Sequence, residues 1–300
     1  MDRLDELAVF TAVLDAGSLS AAAGRLRRSA PAITRALATL EARLGARLIE
    51  RTTRRLTVTE SGRRFAREAR QILAAYTAAM QQTDLGEPHG LLRITAPLIF
   101  GRRYVTPLVA RFLQTHPAIQ ADLLLSDRNL DLIDEQLDVA LRIGPIYEAG
   151  LTAIRVGAVR RVVVASPDYV ATHGHPRLPS ELSRHAVLFV AARPIPREWR
   201  FREAGRDRIV RLAPQFTVNE IGAALVAARA GHGITRVLSY QVAEELADGT
   251  LLRLLTGFEP PPLPVSLVTA AGSPTPARAR AFLAHAEQTL RTLSVIQPDH

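Results

Sequence analysis

Residues 18–45 read SLSAAAGRLRRSAPAITRALATLEARLG. This stretch predicts two short helices joined by a tight turn. The second carries Ile33, Leu37, Leu40 and Leu44 at i, i+4, i+7 and i+11, one apolar stripe at helical period. Its other face presents Thr34, Arg35 and Ala38, polar or small groups free to meet something outside the protein. A helix-turn-helix of this kind fits the major groove of duplex DNA.

Working outward, Leu4, Leu7, Phe10, Val13 and Leu14 predict a first helix ending near Ala16-Gly17. Ser18 is placed to cap the next helix, Leu19 to Leu26. Ser29 is placed to cap the third, with Pro31 in its first turn. Downstream, Arg47–Arg51 and Leu56–Thr59 are strand-like runs around Thr52-Thr53-Arg54-Arg55, a small hairpin with a basic tip. Such a tip either enters the minor groove, where the potential is most negative, or is a plain surface turn. Thr59 then caps a long helix from about Glu60 to Gln82. Phe65, Ala69, Ile72, Tyr76 and Ala79 alternate spacings of four and three, the signature of a coiled-coil seam. The seam pairs with a second copy of the chain or packs on the chain's own remainder.

Charge placement agrees with the pattern. The chain has 300 residues and a formal charge of +9. Residues 25–70 hold thirteen arginines against Glu41, Glu50, Glu60 and Glu68, an excess equal to that of the whole chain. A basic segment coinciding with a helix-turn-helix is either the electrostatic footprint of phosphate contact, which the coincidence favours, or a solvated, arginine-rich surface. The length suggests two or three domains, and 47% hydrophobic residues suffice for substantial cores. No cysteine is present, so disulfides and thiolate sites are excluded. MDRLDELAVF is neither a signal peptide nor a membrane anchor, and a cytoplasmic location without membrane contact is expected.

Asp84–Gly90, DLGEPHG, predicts a hinge. Beyond it the pattern changes to strands alternating with helices: LLRIT, a helix over Pro107–Thr115, IQADLLL, a short helix LDLIDEQ, DVALRI, RRVVVAS, DYVATHG, AVLFV, FTVN, a helix over Ile221–Ala230, VSLVT, and a last helix from about Thr275 to Leu293. This argues for parallel α/β sheets. Ligands in such sheets sit beyond the carboxyl ends of strands. That rule selects Thr95, Pro97, Phe100, Asp127, Arg142 and Asn219 as candidate ligand contacts, with His232 in the turn closing a helix. Arg142 is either an anchor for an anionic or polar ligand or one half of a structural ion pair with Asp127 or Asp138. Enzyme readings lack support. No HExxH, P-loop or GxSxG is present, and without lysine no Schiff base forms. No catalytic residue, cofactor or metal site is expected; His173-x-His175 lacks nearby acids.

The segments FTAVLDAGSLSAAAGRL and SAPAITRALATLEARLGARLIERTTRRLTVTESG resemble the N-terminal half of the LysR-type transcriptional regulators. LRITAPLIFG, DVALRIG and VAARAGHGI extend the likeness along nearly the whole chain. The resemblance implies an N-terminal winged helix-turn-helix over 1–62, a linker and dimerisation helix over 63–83, the hinge at 84–90, and a two-lobed, periplasmic-binding-protein-like α/β effector domain over 91–300. Lobe I would hold about 91–161 and 267–300, and lobe II about 162–266. DNA contact is carried onto Ser29, Pro31, Thr34, Arg35, Arg51 and Arg54, and the dimer seam onto Phe65, Ala69, Ile72 and Tyr76. Many members have Gln where this chain has Ala30, which offers a thymine methyl only apolar contact. Where members often place Ser or Thr to receive a carboxylate, this chain has Pro97-Leu98-Ile99-Phe100, favouring a more apolar or aromatic effector. The implied function is sequence-specific DNA binding tuned by a small molecule, in a homo-oligomer that is usually a dimer of dimers. Site-to-site coupling of this kind amounts to about 1–3 kcal/mol. An effector-independent repressor, and a soluble solute-binding protein or enzyme with an accessory helical domain, remain as alternatives.

Overall fold

The computed structural model describes residues 2–51, 56–82, 87–191, 197–271 and 275–297. The N-terminal head comprises α1 (Arg3–Ala16), α2 (Leu19–Arg25), α3 (Ala30–Leu44), β1 (Ile49–Arg51), β2 (Leu56–Val58) and α4 (Glu60–Gln82). Its core gathers Leu7, Phe10 and Val13 of α1, Ile33, Leu37 and Leu40 of α3, Leu48, and Ala66 and Ala69 of α4. Gly17 and Gly45 end α1 and α3 in left-handed conformations, at φ 67° and 63°. The Ser18 hydroxyl accepts from the Ala21 amide at 3.1 Å, and Thr59 caps α4 through Gly62 at 2.9 Å. Glu41 of α3 accepts from the amides of Leu48 and Ile49 at 2.8 and 3.1 Å, which fixes the hairpin to that helix.

Two details differ from the sequence expectation. Leu44 ends the α3 stripe 41% exposed, because the helix runs past the head core. Ser29 occupies the N-cap position of α3, but its hydroxyl makes no capping bond. The hairpin tip, with Arg54, and the first part of the expected hinge lie outside the described residues.

The body contains two five-stranded sheets. The first has the order β4-β3-β5-β14-β6. It uses β3 (Gly90–Ala96), β4 (Ile119–Leu125), β5 (Val139–Ile143), β6 (Leu151–Val159) and β14 (Leu263–Ala270), the last returning from the far end of the chain. α5 (Leu98–Phe100) runs through a π-turn, Gly101–Val105, into α6 (Thr106–Thr115). α6 and α10 (Ala277–Leu290) pack on this sheet through Phe112 and Phe282, whose rings lie 5.3 Å apart. The second sheet has the order β11-β8-β12-β7-β13. It uses β7 (Arg161–Ala165), β8 (Val187–Val190), β11 (Phe216–Val218), β12 (Ile234–Leu238) and β13 (Leu252–Leu254). α7 (Pro167–His173), α8 (Ile221–Arg229), α9 (Ala243–Ala247) and the hairpin of β9 (Glu198–Glu203) and β10 (Arg206–Arg211) accompany it.

The sheets are mixed rather than parallel. β3 pairs in parallel with β4 and β5, whereas β14 runs antiparallel to β5 and β6. In the second sheet β8 is parallel to β11 and β12, whereas β7 is antiparallel to β12 and β13. The reason is topological. The chain crosses between lobes at Arg160 and returns after β13, and strands at each crossing run back against their neighbours. The returning strand begins at Leu263, earlier than the expected boundary at 267. Residues 132–136 form turns, not a helix. The Asp131 carboxylate accepts from the amides of Ile133 and Asp134, both at 2.9 Å, and Gln136 sits at φ 54°. Among the described residues no single helix is long and apolar enough to cross a membrane.

Candidate functional site

Two surfaces carry chemistry. The first is the outer face of the head. Pro31, Arg35, Ala38 and Thr39 of α3 are exposed, with Ser29 and Ala30 at its start and Thr34 half-buried beside them. Five of the head's arginines form ion pairs. Arg43 holds the buried Glu6 at 2.8 Å, Arg28 holds Asp5 at 2.8 Å, and Arg70 holds Asp15 at 2.7 Å. Arg25 reaches Asp15 at 3.9 Å and Arg67 reaches Asp134 at 3.5 Å. Arg27, Arg35, Arg47, Arg63 and Arg64 are exposed and have no acidic partner among the described residues. The arrangement therefore separates cations committed to ion pairs, within the head or from head to body, from exposed cations without one. Arg51 lies on β1, beside the undescribed tip that holds Arg54.

The second surface is a cleft of about 480 Å³ between the two lobes. Thr95, Pro97, Asp127, Arg142 and Asn219 line it, as the strand-end rule anticipated. Phe100 and His232 do not. Phe100 is fully buried, packed at 5.0 Å on Tyr104 and 5.1 Å on Tyr240, because α5 turns its ring into the lobe I core. His232 is exposed on the turn after α8.

Most polar groups at the cleft wall are already engaged. The Thr95 hydroxyl donates to the Leu124 carbonyl at 2.8 Å, and Asp127 accepts from the Leu98 amide at 2.9 Å. Glu220 occupies the N-terminus of α8, accepting from Gly222 and Ala223 at 2.7 and 2.8 Å. Arg142 is paired, but with neither Asp127 nor Asp138. One guanidinium nitrogen meets Glu148 at 2.5 Å and another donates to the Leu130 carbonyl at 2.8 Å. Asp138 instead takes Arg278 at 3.0 Å.

Sequence reasoning missed Arg161 and Arg236, which also line the cleft. Arg236 keeps part of its surface open to the cleft and is crowded by protein elsewhere. Its guanidinium lies 5.2 Å from the Trp199 ring centroid and donates to the Arg200 carbonyl at 3.1 Å. Burial, and secondarily the neighbouring Arg161, push Arg236 down to about 9. Burial also lowers Arg161. The signal available in the sequence was a charged residue inside an otherwise apolar strand, ITRVL at 234–238.

A crevice of about 410 Å³ separates head and lobe I. Its wall includes Asp15, Arg70, Gln136, Asp138 and Arg278, and these charges neutralise one another. Gln136 donates to Asp15 at 2.5 Å, and Asp134 lies 3.6 Å from Arg70. The crevice is a seam of contacts, whereas the interlobe cleft holds unspent charge. The expected seam on α4 divides. Phe65 packs on Phe10, the rings tilted with centroids 5.7 Å apart, and Ala69 is fully buried, both in the chain's own head. Ile72, Tyr76 and Met80 stand 47%, 50% and 58% exposed. His173 stacks on Tyr169 at 4.4 Å, and among the described residues no group of three or more metal-ligating side chains comes together.

Comparison with known proteins gives consistent matches. Residues 4–63 match the family model for the bacterial regulatory helix-turn-helix protein, lysR family. Residues 85–291 match that for the LysR substrate binding domain. The probable HTH-type transcriptional regulator LtrA of Klebsiella pneumoniae is 30% identical over 299 residues, 98% of this chain and 97% of the relative. The solved structure of CrgA, a LysR-type transcriptional regulator from Neisseria meningitidis, is 30% identical with a TM-score of 0.61, covering 95% of this chain and 98% of that one. Full-length AphB, the Vibrio cholerae virulence activator, is 28% identical with a TM-score of 0.61, covering 95% and 98%.

Arg35 tests the head face. Arg35→Ala is expected to cost about 1–3 kcal/mol on a preferred duplex and much less on random duplex, since a base contact carries sequence information and a phosphate contact does not. Competition gel shifts measure both, and equal losses refute base reading by Arg35.

Proposed function

The chain belongs to the LysR family of bacterial transcriptional regulators, and from that premise we propose how its parts divide the work. The family match makes it a DNA-binding regulator with an effector-binding domain rather than an enzyme. The head, residues 1–62, takes the DNA. The N-terminal half of α3 enters the major groove, with Arg35 and Thr34 facing base edges and Ala30 and Pro31 closing against them. Ser29, free of any capping bond, is available to a phosphate at the α3 N-terminus. Arg51 and Arg54 serve the wing. The body, residues 91–300, receives a small molecule between its lobes. A regulator of this kind acts in the cytoplasm.

The observation that carries this reading is the separation of paired from unpaired arginines. Arg27, Arg35, Arg47, Arg63 and Arg64 are exposed and find no acidic partner among the described residues. Four phosphate contacts per head make the logarithm of affinity fall with slope about −3.6 against the logarithm of salt concentration. Gel-shift titration on duplex from upstream of the chain's own coding region, at several salt concentrations, measures that slope. A flat salt dependence, or no preference over scrambled duplex, overturns the proposal.

α4 joins two copies. It is 23 residues long, and its exposed Ile72, Tyr76 and Met80 continue the stripe whose first part, Phe65 and Ala69, serves the head. A second copy laid along this stripe would present two α3 helices to two half-sites. Replacing Ile72 and Tyr76 together by Asp is expected to reduce the mass seen in small-angle scattering to that of a single chain. An unchanged assembled mass rejects the α4 seam.

The turn over 130–137 is the route from cleft to head. Arg142 at the cleft holds its first carbonyl, Leu130. Its far end holds the head through Gln136 to Asp15 and Asp134 to Arg70. A ligand that moves Arg142 therefore acts on both. The double variant Asp134→Ala, Gln136→Ala is expected to separate the calorimetric transition of the head from that of the body and to lower it. A superimposable thermogram counts against this turn as the link.

A further inference from the structure

The effector reading of the interlobe cleft is the premise here. We infer that the cleft takes an organic anion, a carboxylate on an apolar body, and that Arg161 and Arg236 of the second lobe are the residues that select it. The argument rests on charge. Among the described residues, Arg128, Arg142, Arg161 and Arg236 line the cleft against one carboxylate, Asp127. On the first lobe, across from Arg161 and Arg236 of the second, Asp127 is engaged by the Leu98 amide and Arg142 is neutralised by Glu148. Arg161 and Arg236 have no carboxylate partner among the described residues. Among the described residues Arg236 meets the Trp199 ring and one backbone carbonyl, weaker substitutes for an anion.

Geometry puts the two guanidiniums on one target. β12 runs antiparallel to β7, with Arg236 opposite Val163 and Leu238 opposite Arg161. Residues two apart on a strand share a face, so Arg161 and Arg236 are diagonal neighbours on the same face, about 7–8 Å apart by strand geometry. One carboxylate bridges two such side chains. An arginine crowded by protein without a counter-charge costs stability, and a charged partner restores it. Arg236, lowered as it is, stays protonated at neutral pH and so presents a cation. The α8 N-terminus does not compete for the anion, because Glu220 fills it. The rest of the wall fixes the other end of the ligand. Pro97, Leu141, Ile143, Val190, Ile221 and Leu263 line the cleft and suit an apolar body. A small, fully polar dianion would leave these side chains uncovered.

The test uses the full-length protein with benzoate and hexanoate as carboxylate probes, and benzamide and hexanamide as neutral isosteres, each at millimolar concentration. Calorimetric titration and thermal shift are read for wild type, Arg236→Met and Arg161→Met. Carboxylates are expected to bind and raise the melting temperature, with the amides at least ten-fold weaker. Each variant is expected to lose at least ten-fold in carboxylate affinity. Ligand-free Arg236→Met is expected to melt no lower than wild type, since it removes an unpaired charge; a lower melt would mark Arg236 as structural and overturn its role. Failure of both carboxylates to bind, or equal binding of the amides, also overturns the inference. Gel shifts with and without probe separate it from its premise. An amide that binds both variants undiminished and alters DNA affinity removes the anion and keeps the effector. Carboxylate binding that is lost in the variants but never alters DNA affinity keeps the anion site and removes the effector.

Discussion

Neutralisation of arginine organises this molecule. The sequence contains no lysine, so every permanent side-chain cation is a guanidinium that must find an acid, an aromatic face or water. Glu6 with Arg43, Asp15 with Arg70, Asp138 with Arg278 and Glu259 with Arg253 are internal solutions, each joining two segments of chain. Removing one partner of such a partly buried pair leaves a charge uncompensated and costs far more than the pair contributes when whole. The placement of acids therefore determines which arginines are committed to the fold. Among those left over are arginines on the outer face of the head and in the interlobe cleft, where partners from outside can reach them.

Much of the fold was legible because its elements obey one period each. The α1 and α3 stripes, the Ser18 cap and the glycines after both helices appear where local rules place them. What escaped was set by tertiary geometry. The stripe on α3 continues to Leu44 in the sequence, yet the head core stops at Leu40. LDLIDEQ has helical spacing, but Asp131 bonds the backbone ahead of it and turns the chain. β6, the β9–β10 hairpin, β12 and β13 were not read as strands. β12 is interrupted by Arg236, β9 carries arginines at alternate positions, and β10 carries them on both faces and so shows no apolar alternation.

The candidate sites were legible where position along a strand decides them, and not where pairing does. Thr95, Pro97, Asp127, Arg142 and Asn219 follow strand ends and line the cleft. Phe100 follows a strand end too, but an aromatic ring with a hydrophobic core beneath it turns inward. Arg142 invited attention as a charge at the end of an apolar strand. Its partner, Glu148, sits in a loop whose path no periodicity encodes. Arg161 opens a strand and Arg236 lies within one, positions where a strand-end rule does not look. On α4 the heptad pattern is continuous through Phe65, Ala69, Ile72 and Tyr76. The structure assigns its first half to the head and leaves the second half exposed.

Between head and body the ion pairs and hydrogen bonds come from a handful of side chains around one turn, and this bears on how a signal can pass. A large apolar interface would hold the two as one rigid piece. Here Arg67 and Asp134 are about half exposed, so that pair contributes little by itself. Arg70, Asp15 and Gln136 are better shielded and bind one another more firmly. The turn that supplies Asp134 and Gln136 is anchored beneath by Leu132 and Leu137, which pack on Ala140 and Val268 beside Arg142. Its polar end can let go while its apolar end stays seated. A coupling free energy of about 1–3 kcal/mol is the size that one or two such bonds supply. Regulation at that scale requires no refolding of either lobe, only a change in which carboxylate or carbonyl a guanidinium holds.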